Sequence, residues 1–370
     1  MRKWKNQAII GFDSIYLCLQ NLIYALILCF FKLNIDILTN NARLYYYFLC
    51  TILLDIFMCD INVCLASDNN YICYASVLIA SILLNADESD KLNFYILENE
   101  ISEENKDKVL SLKGIKDCSI KFISPDNSLF YEYSKIQTHH YLTLPAYYRL
   151  KLPSLLPNVD KVIYFDCDMV VNSSLSKLFN SDLKGNSVGG VIDVRPFRMN
   201  KKSKLPLFNL YVNSGMLLID LKKWREINAE QLFLDYATNY KDDIFCGDQQ
   251  IINYVFQGKI KRLPNKWNVQ VSNFMNRSSL MKYPNVIHYI GKYKPWVYAS
   301  ITYFKNYYFE YLSHTPFAMT PEEKYKYEVV GQKESIKKYI KRRPFNFLHP
   351  KFMLAIICTY FNFSKRKKNF

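Results

Sequence analysis

At 370 residues, the chain is long enough for one large α/β domain with appendages or for two domains. Half of the residues are hydrophobic, which excludes general disorder and predicts a packed core. The formal net charge is +15, but residues 333–370 hold eleven Lys or Arg and a single acid, a net +10. Most of the positive charge therefore lies in residues 333–370, and it indicates a binding partner for this C-terminal tail only. We predict no nucleic-acid partner. Ten cysteines without a Cys-x-x-Cys pair predict a reducing compartment.

The N-terminal residues 1–57 differ from the rest of the chain. They contain apolar runs at 15–31 and 44–59, each near or below the length that spans a bilayer. Two interpretations are open. The runs form a membrane hairpin with the basic N-terminal residues on the cytosolic side, or the start codon is placed too early, because Met58 stands just before a clean domain start.

From residue 61 onward, short apolar strands alternate with helices. We predict strands at 61–66, 92–97 and 120–123, and helices at 74–84 and 102–112. This alternation is typical of a parallel sheet with helices on its faces. A polar loop at 67–71 follows the first strand, and ligands of such sheets bind beyond the carboxyl ends of strands. We therefore expect this loop to line a ligand crevice.

The central motif is an apolar strand at 162–171 that carries Asp166 and Asp168. On an extended backbone, side chains at i and i+2 point to the same side, so the two carboxylates can converge on one cation as the strand ends. Such a pair suits a hard divalent ion that keeps positions open for phosphate oxygens. The alternative is a solvated strand end, but two aspartates among these apolar residues would be costly to bury without a partner.

The second half of the chain continues the α/β pattern. We predict a helix at 141–150, a strand at 188–193, a basic flap at 195–204, a loop and then a strand at 211–221, a helix at 224–240 and a helix that begins at Gly247. Amides at the start of that last helix favour a nearby anion. A final motif spans residues 286–296. Taken singly, these motifs have simpler explanations: His288 as a core histidine, Lys294 as a turn residue and Asp248 as a helix cap.

Five motifs follow one another along roughly residues 61–296. They are Ala-Ser-Asp-x-x-Tyr, Asp-x-Asp, Asn-x-Gly, Asp-Gln and His-x-x-Gly-x-x-Lys-Pro-Trp. This order resembles glycosyltransferase family 8. The resemblance implies an α/β GT-A fold, with a Rossmann-like mixed sheet flanked by helices in a catalytic domain at 58–300. A hydrophobic extension at 1–57 would precede it, and a helical, basic, membrane-associating extension at 301–370 would follow.

The resemblance also implies a function. It predicts a retaining, metal-dependent hexosyltransferase that moves glucose or galactose from UDP-glucose or UDP-galactose to a glycan, such as the core of lipopolysaccharide or lipooligosaccharide. A lipid-linked acceptor would place the enzyme in the cytoplasm, peripheral to the inner membrane.

Family roles transfer to this sequence one position at a time. The resemblance implies a site for Mn²⁺ or Mg²⁺ at Asp166, Asp168 and His288. The positions that match the uridine-binding loop are Ala66, Asp68, Asn70 and Tyr71, and those that match the diphosphate clamp are Gly291 and Lys294. The positions near the donor sugar are Arg149, Asp193, Asn213, Asp248 and Gln249. The predicted catalytic residues are Gln249 and, beside it, Asp248. Because Gln249 is a poor nucleophile, we expect a front-face route in which the departing phosphate accepts the acceptor proton and Gln249 stabilises positive character on the sugar.

The segment after Trp296 is first aromatic and then basic. Seven aromatic residues lie within 298–311, and basic clusters flank an apolar stretch at 352–363 that is too short to span a bilayer. We expect attachment to the anionic inner leaflet, with a surface helix packed on the core as the alternative. Two other functions stay open: a phosphohydrolase of the haloacid dehalogenase type, and a catalytically silent membrane-bound scaffold.

Overall fold

The computed structural model describes residues 59–136, 143–193, 210–271, 283–292, 294–298, 300, 302, 304–331, 334 and 341. Residues 1–58, the predicted basic flap and the apolar stretch at 352–363 lie outside this part of the chain, so the statements about them stay predictions. Among the described residues, no helix is both long enough and apolar enough to cross a membrane.

The strands and helices follow the alternation that the sequence predicts. The strands are β1 (Cys59–Asp68), β2 (Asp90–Asn99), β3 (Cys118–Ile123), β4 (Lys161–Phe165), β5 (Met169–Val171), β6 (Val188–Ile192), β7 (Val212–Asp220), β8 (Ile260–Arg262), β9 (Val269–Val271) and β10 (Val286–Tyr289). The α-helices are α1 (Ile72–Leu84), α2 (Glu103–Leu110), α3 (Tyr131–Ser134), α4 (Leu152–Leu155), α5 (Ser176–Phe179), α6 (Leu221–Glu226), α7 (Ala229–Asn239), α8 (Gly247–Val255), α9 (Lys305–Leu312) and α10 (Pro321–Tyr325). A 3₁₀ helix at Leu144–Lys151 precedes α4.

Two sheets organise the fold. The larger has seven strands in the order β3-β2-β1-β4-β7-β6-β8, and the smaller has three in the order β5-β10-β9. In the larger sheet, β7 runs antiparallel to both of its neighbours, while the other pairs are parallel. This mixed sheet flanked by helices is the predicted GT-A architecture.

Apolar side chains cover both faces of the larger sheet. Helix α1 packs on one face, where Leu78 and Ile79 belong to the same buried cluster as Phe94 of β2. On the other side of α1, Val77 belongs to a separate buried cluster that also contains residues of the smaller sheet and of α9. This two-sided packing explains why α1 is apolar around most of its circumference, since such helices are buried on all sides. The opposite face of the larger sheet carries α6, α7 and α8, centred on the buried Trp224.

Three predicted elements differ from the structure. The single strand at 162–171 is two strands, β4 and β5, that belong to different sheets. The helix at 224–240 is broken between α6 and α7 at Asn228, whose backbone is left-handed with φ 50°. The stretch 213–215, predicted as a loop, lies inside β7.

The aromatic residues of α9 pack on the fold. Tyr308 and Phe309 of α9 are buried in the cluster that also holds Ile287 of the smaller sheet. The hydroxyl of Tyr311 accepts a hydrogen bond from Asn85 at 2.9 Å. These aromatic side chains therefore belong to the core, and the predicted membrane attachment depends on residues beyond 331.

Candidate functional site

The two central aspartates lie in the turn that joins the sheets. The backbone N–H of Asp166 donates to the carbonyl of Gly215 on β7 at 2.7 Å, and the N–H of Tyr289 on β10 donates to the carbonyl of Asp168 at 3.0 Å. The turn is thereby fixed to a strand of each sheet. The carboxylates converge because the chain turns between β4 and β5, and not because both residues lie on one extended strand, so our sequence-based reason for their convergence was wrong.

Three side chains at this turn form a cluster that fits a divalent cation. Nε2 of His288 lies 3.2 Å from Oδ1 of Asp168 and 4.0 Å from Oδ2 of Asp166. One ligand atom from each residue lies within 4.8 Å of the other two. Oδ1 of Asp168 is buried and receives no hydrogen bond from the described residues. Two carboxylates and an imidazole suit Mn²⁺ or Mg²⁺, so the residues present fit the implied metal.

A basic side chain contacts the second oxygen of each carboxylate. The guanidinium of Arg149 donates to Oδ1 of Asp166 at 2.6 Å. The ammonium of Lys294 donates to Oδ2 of Asp168 and, at 2.6 Å, to the carbonyl of Tyr289. Burial by itself raises the pKa of Asp168, but Lys294 and His288 outweigh it and hold that pKa well below its usual range. Asp168 therefore stays ionised.

Arg149 connects the aspartate turn to the start of α8. Its side chain is 4% exposed, donates to the carbonyl of Ser214 at 2.7 Å and lies 3.3 Å from Oδ2 of Asp248. The guanidinium also lies 4.2 Å from the ring centroid of Tyr164, within the range of cation–π attraction. Burial raises the pKa of Asp248, and the charge of Arg149 offsets this only in part.

The predicted donor-sugar residues form one buried network. Oε1 of Gln249 accepts from Nδ2 of Asn213 at 3.1 Å and from the N–H of Ser214 at 3.2 Å. Oδ2 of Asp193 accepts from Nε2 of Gln249 at 3.0 Å and from Nδ2 of Asn213 at 3.1 Å. Both acceptor positions of the Gln249 amide oxygen are therefore occupied.

The predicted uridine loop is the connection from β1 to α1. Oδ1 of Asp68 accepts from the N–H groups of Asn70 and Tyr71, each at 2.9 Å, and so closes the turn that precedes α1. The carbonyl of Ala66 accepts from the thiol of Cys167, the residue between the two aspartates, at 3.0 Å. The loop and the aspartate turn are therefore neighbours, as predicted from the position of both after strands.

Aromatic rings join this loop to the segment that carries Lys294. Tyr71, which is 43% exposed, lies edge-on to Tyr74 at 5.3 Å, and Tyr74 stacks on Trp296 at 3.9 Å with an interplanar angle of 12°. Gly291 has φ +70°, a left-handed conformation that favours glycine, where the chain turns away from β10. Asn70 and Gly291 are both exposed, and Asn70 joins the site through its backbone N–H, which donates to Asp68.

Two residues of the site were given no role from the sequence. A Cβ on Gly215 would lie 2.3 Å from Cε1 of His288 and 2.8 Å from Oδ2 of Asp166. Oδ1 of Asn268 lies 3.1 Å from Nδ1 of His288. Asn268 and Gln270 alternate with Trp267, Val269 and Val271. Buried amides in so apolar a strand need partners, and this alternation was the available signal.

The fold and the site together define a glycosyltransferase of the GT-A fold. The sequence profile described as glycosyl transferase family 8 matches residues 62–300, more than half of the chain. The chain belongs to glycosyltransferase family 8. This membership excludes the phosphohydrolase alternative.

Individual relatives agree with the family assignment. A Haemophilus influenzae protein named as a glycosyltransferase is 34% identical over 244 residues, which cover 64% of this chain and 72% of that protein. The lipopolysaccharide 1,2-glucosyltransferase of Escherichia coli K12 is 28% identical over 271 residues, which cover 66% of this chain and 76% of the relative. Among solved structures, the galactosyltransferase LgtC in complex with donor and acceptor sugar analogues matches with a TM-score of 0.62 at 28% identity, covering 71% of this chain and 99% of LgtC.

Proposed function

We propose that the protein is a retaining, metal-dependent glycosyltransferase that moves glucose or galactose from a UDP-sugar to a glycan acceptor. The observation that carries this proposal is the cluster of Asp166, Asp168 and His288, whose ligand atoms lie within 4.8 Å of one another. Family membership supports the nucleotide-sugar donor and the glycan acceptor. The structure of LgtC with donor and acceptor sugar analogues and the glucosyltransferase named above support the two hexoses.

We assign the three clustered side chains to a Mn²⁺ or Mg²⁺ ion. When bound, this cation would neutralise charge on the diphosphate as the bond to the sugar breaks. Lys294 supplies a second positive charge beside Asp168 and would contact the diphosphate. The loop of Ala66, Asp68, Asn70 and Tyr71 would hold the uridine, with the exposed ring of Tyr71 stacked on the base.

Retention of anomeric configuration needs either a covalent intermediate or a front-face reaction. A covalent intermediate needs a nucleophile on the face opposite the leaving group. The amide oxygen of Gln249 already accepts two hydrogen bonds, and Asp248 lies against Arg149. These contacts support the front-face route, in which a departing phosphate oxygen takes the acceptor proton and Gln249 and Asp248 lie beside the donor sugar. Capture of a sugar covalently bound to Asp248 or Gln249 in the wild-type protein would overturn this route.

Donor hydrolysis tests the proposed function. The full chain would be incubated with UDP-glucose or UDP-galactose, with and without Mn²⁺, and released UDP measured. We expect hydrolysis that EDTA removes and that Asp166→Asn and Asp168→Asn lower by about 10³-fold or more, since each removes charge directly from the reacting centre. The control is Asp107→Asn, which changes an exposed aspartate on α2. Metal-independent hydrolysis, or a folded protein that binds no UDP-sugar, would contradict the proposal and favour the silent scaffold.

For the acceptor, we propose the core of lipopolysaccharide or lipooligosaccharide at the cytoplasmic face of the inner membrane. The support is the name of the Escherichia coli relative and the net +10 charge of residues 333–370. Basic residues near an anionic surface contribute about 1 kcal/mol each. Deletion of residues 333–370 should release the protein from anionic vesicles while donor hydrolysis persists. Unchanged sedimentation with the vesicles would refute this attachment.

A further inference from the structure

A chain of hydrogen bonds leads from the backbone of β7 to the imidazole of His288. The N–H of Gly215 donates to Oδ1 of Asn213 at 3.1 Å, and Nδ2 of Asn268 donates to the same oxygen at 3.0 Å. Oδ1 of Asn268 then lies 3.1 Å from Nδ1 of His288. Asn268 and His288 are only 2% and 3% exposed, so little solvent can replace these bonds.

The direction of every bond in this chain follows from its first member. A peptide N–H can only donate, so the atom of Asn213 that faces Gly215 is its oxygen. The Nδ2 of Asn213 faces the carboxylate of Asp193 at 3.1 Å, which can only accept and so requires the same orientation. The atom of Asn268 that faces the Asn213 oxygen must therefore be its nitrogen.

The tautomer of His288 follows from the orientation of Asn268. With its nitrogen directed at Asn213, Asn268 presents its oxygen to Nδ1 of His288, and a hydrogen bond at 3.1 Å requires that Nδ1 carry the proton. When a cation is bound, Nε2 is then the nitrogen that supplies the lone pair. That atom is the one that lies 3.2 Å from Asp168, on the side of the aspartate cluster.

We propose that Asn268 is the positioning residue of the metal site: it fixes the orientation and the Nδ1–H tautomer of His288, so that Nε2 is available as a metal ligand. This inference rests on the proposed function, because it takes Asp166, Asp168 and His288 as the ligands. Partners of this kind commonly alter metal affinity by about 10- to 100-fold when they are removed. Asn213 also donates to Gln249, so the chain ties the metal ligand to the proposed donor-sugar residues.

Mn²⁺ affinity of the full chain, measured by titration calorimetry, tests the proposal. Asn268→Leu keeps the side chain near its size but removes the acceptor, and should weaken Mn²⁺ binding by about 10- to 100-fold. Asn268→Asp keeps an acceptor for Nδ1 and should retain most of the affinity, although its second oxygen opposes the Asn213 oxygen and lowers the melting temperature. Asn85→Leu is the control, because it removes three amide hydrogen bonds away from His288.

The tautomer itself gives a second readout. Long-range ¹H–¹⁵N spectra of the imidazoles should show the His288 signal, assigned by its loss in His288→Gln, with the proton on Nδ1 in the parent protein. In Asn268→Leu the proton on Nδ1 should be lost in part. An Nδ1 without a proton in the parent protein, or equal loss of Mn²⁺ affinity in Asn268→Asp and Asn268→Leu, would overturn the positioning role.

The variant His288→Gln separates failure of this inference from failure of the proposed function. If His288→Gln binds Mn²⁺ as the parent protein does, the proposed metal site itself is wrong. If His288→Gln loses Mn²⁺ while Asn268→Leu binds it normally, the metal site stands and only the role of Asn268 is refuted.

Discussion

Gly215 offers the sharpest test of the metal site, because the space beside it is already filled. An alanine Cβ would lie 2.3 Å from Cε1 of His288, 2.8 Å from Oδ2 of Asp166 and 2.9 Å from Cε of Met169. Nonbonded carbon atoms are most stable about 3.5–4.0 Å apart, so the imidazole must move by about 1 Å or more. The backbone of Gly215 is not left-handed, so alanine changes the available space and not the permitted conformation.

The expected effect of Gly215→Ala follows from that displacement. Metal sites tolerate changes of about 0.2 Å in ligand distance, so a shift of about 1 Å should remove His288 as a ligand and weaken Mn²⁺ binding by about 100-fold or more. Overpacking of this kind costs about 1–3 kcal/mol of folding free energy. Most of the protein should therefore stay folded while metal binding is lost.

Calorimetric titration with Mn²⁺ and a thermal melt would measure the two effects separately. The matched control is Gly114→Ala, because a Cβ at Gly114 meets nothing within 4 Å among the described residues. The reasoning fails if Gly215→Ala is folded and binds Mn²⁺ with the affinity of the parent protein. It fails equally if Gly114→Ala loses metal binding to the same degree.

Three further substitutions probe the groups around the cluster. Lys294→Met removes the charge beside Asp168 and should lower kcat/KM for donor hydrolysis by about 10²- to 10³-fold, while calorimetry shows Mn²⁺ still bound. Arg149→Met leaves Asp166 and Asp248 without their buried guanidinium and should cost about 3–5 kcal/mol of folding free energy in denaturant titrations; an unchanged midpoint would contradict this. Trp296→Leu removes the stack on Tyr74 and should raise KM for the UDP-sugar more than it lowers kcat, because about 0.5–1.5 kcal/mol of ring contact is lost; an effect on kcat alone would be inconsistent.

The order of strands and helices from β1 to β3 could be predicted from the sequence because each element there follows one simple pattern. The change of sheet within residues 162–171 could not be predicted, because β4 and β5 are equally apolar and their hydrophobic periodicity does not mark it. The two aspartates that interrupt the run were taken as metal ligands, and this stays a prediction. The same aspartates also lie in the turn between the two strands. The sequence alone does not show this, because polar residues of a turn and polar residues of a functional site look alike.

The same limit applies to residues 213–215. Asparagine, serine and glycine are depleted in strands, so the sequence favours a loop there. In the structure they lie inside β7, because their polar groups bond to the site and the missing side chain of Gly215 leaves room for His288. For Asn268, the alternation of amides with apolar residues at 267–271 indicates a buried amide but not its partner. The contact of Asn268 with the His288 ring on β10 joins distant parts of the chain, which no local pattern reports.

The topology explains why these pieces meet at one edge of the sheet. Ligands of parallel α/β sheets bind beyond the carboxyl ends of strands, and β1 and β4 deliver the loop at 67–71 and Asp166 in this way. Strand β7 runs in the opposite direction, with Met216 paired to Phe165, so it brings its amino end to the same edge. Gly215 therefore lies beside Asp166 because β7 is reversed. A parallel strand in that place would bring its carboxyl end to this edge, and the space for His288 and the amides that orient it would then have to come from residues elsewhere in the chain.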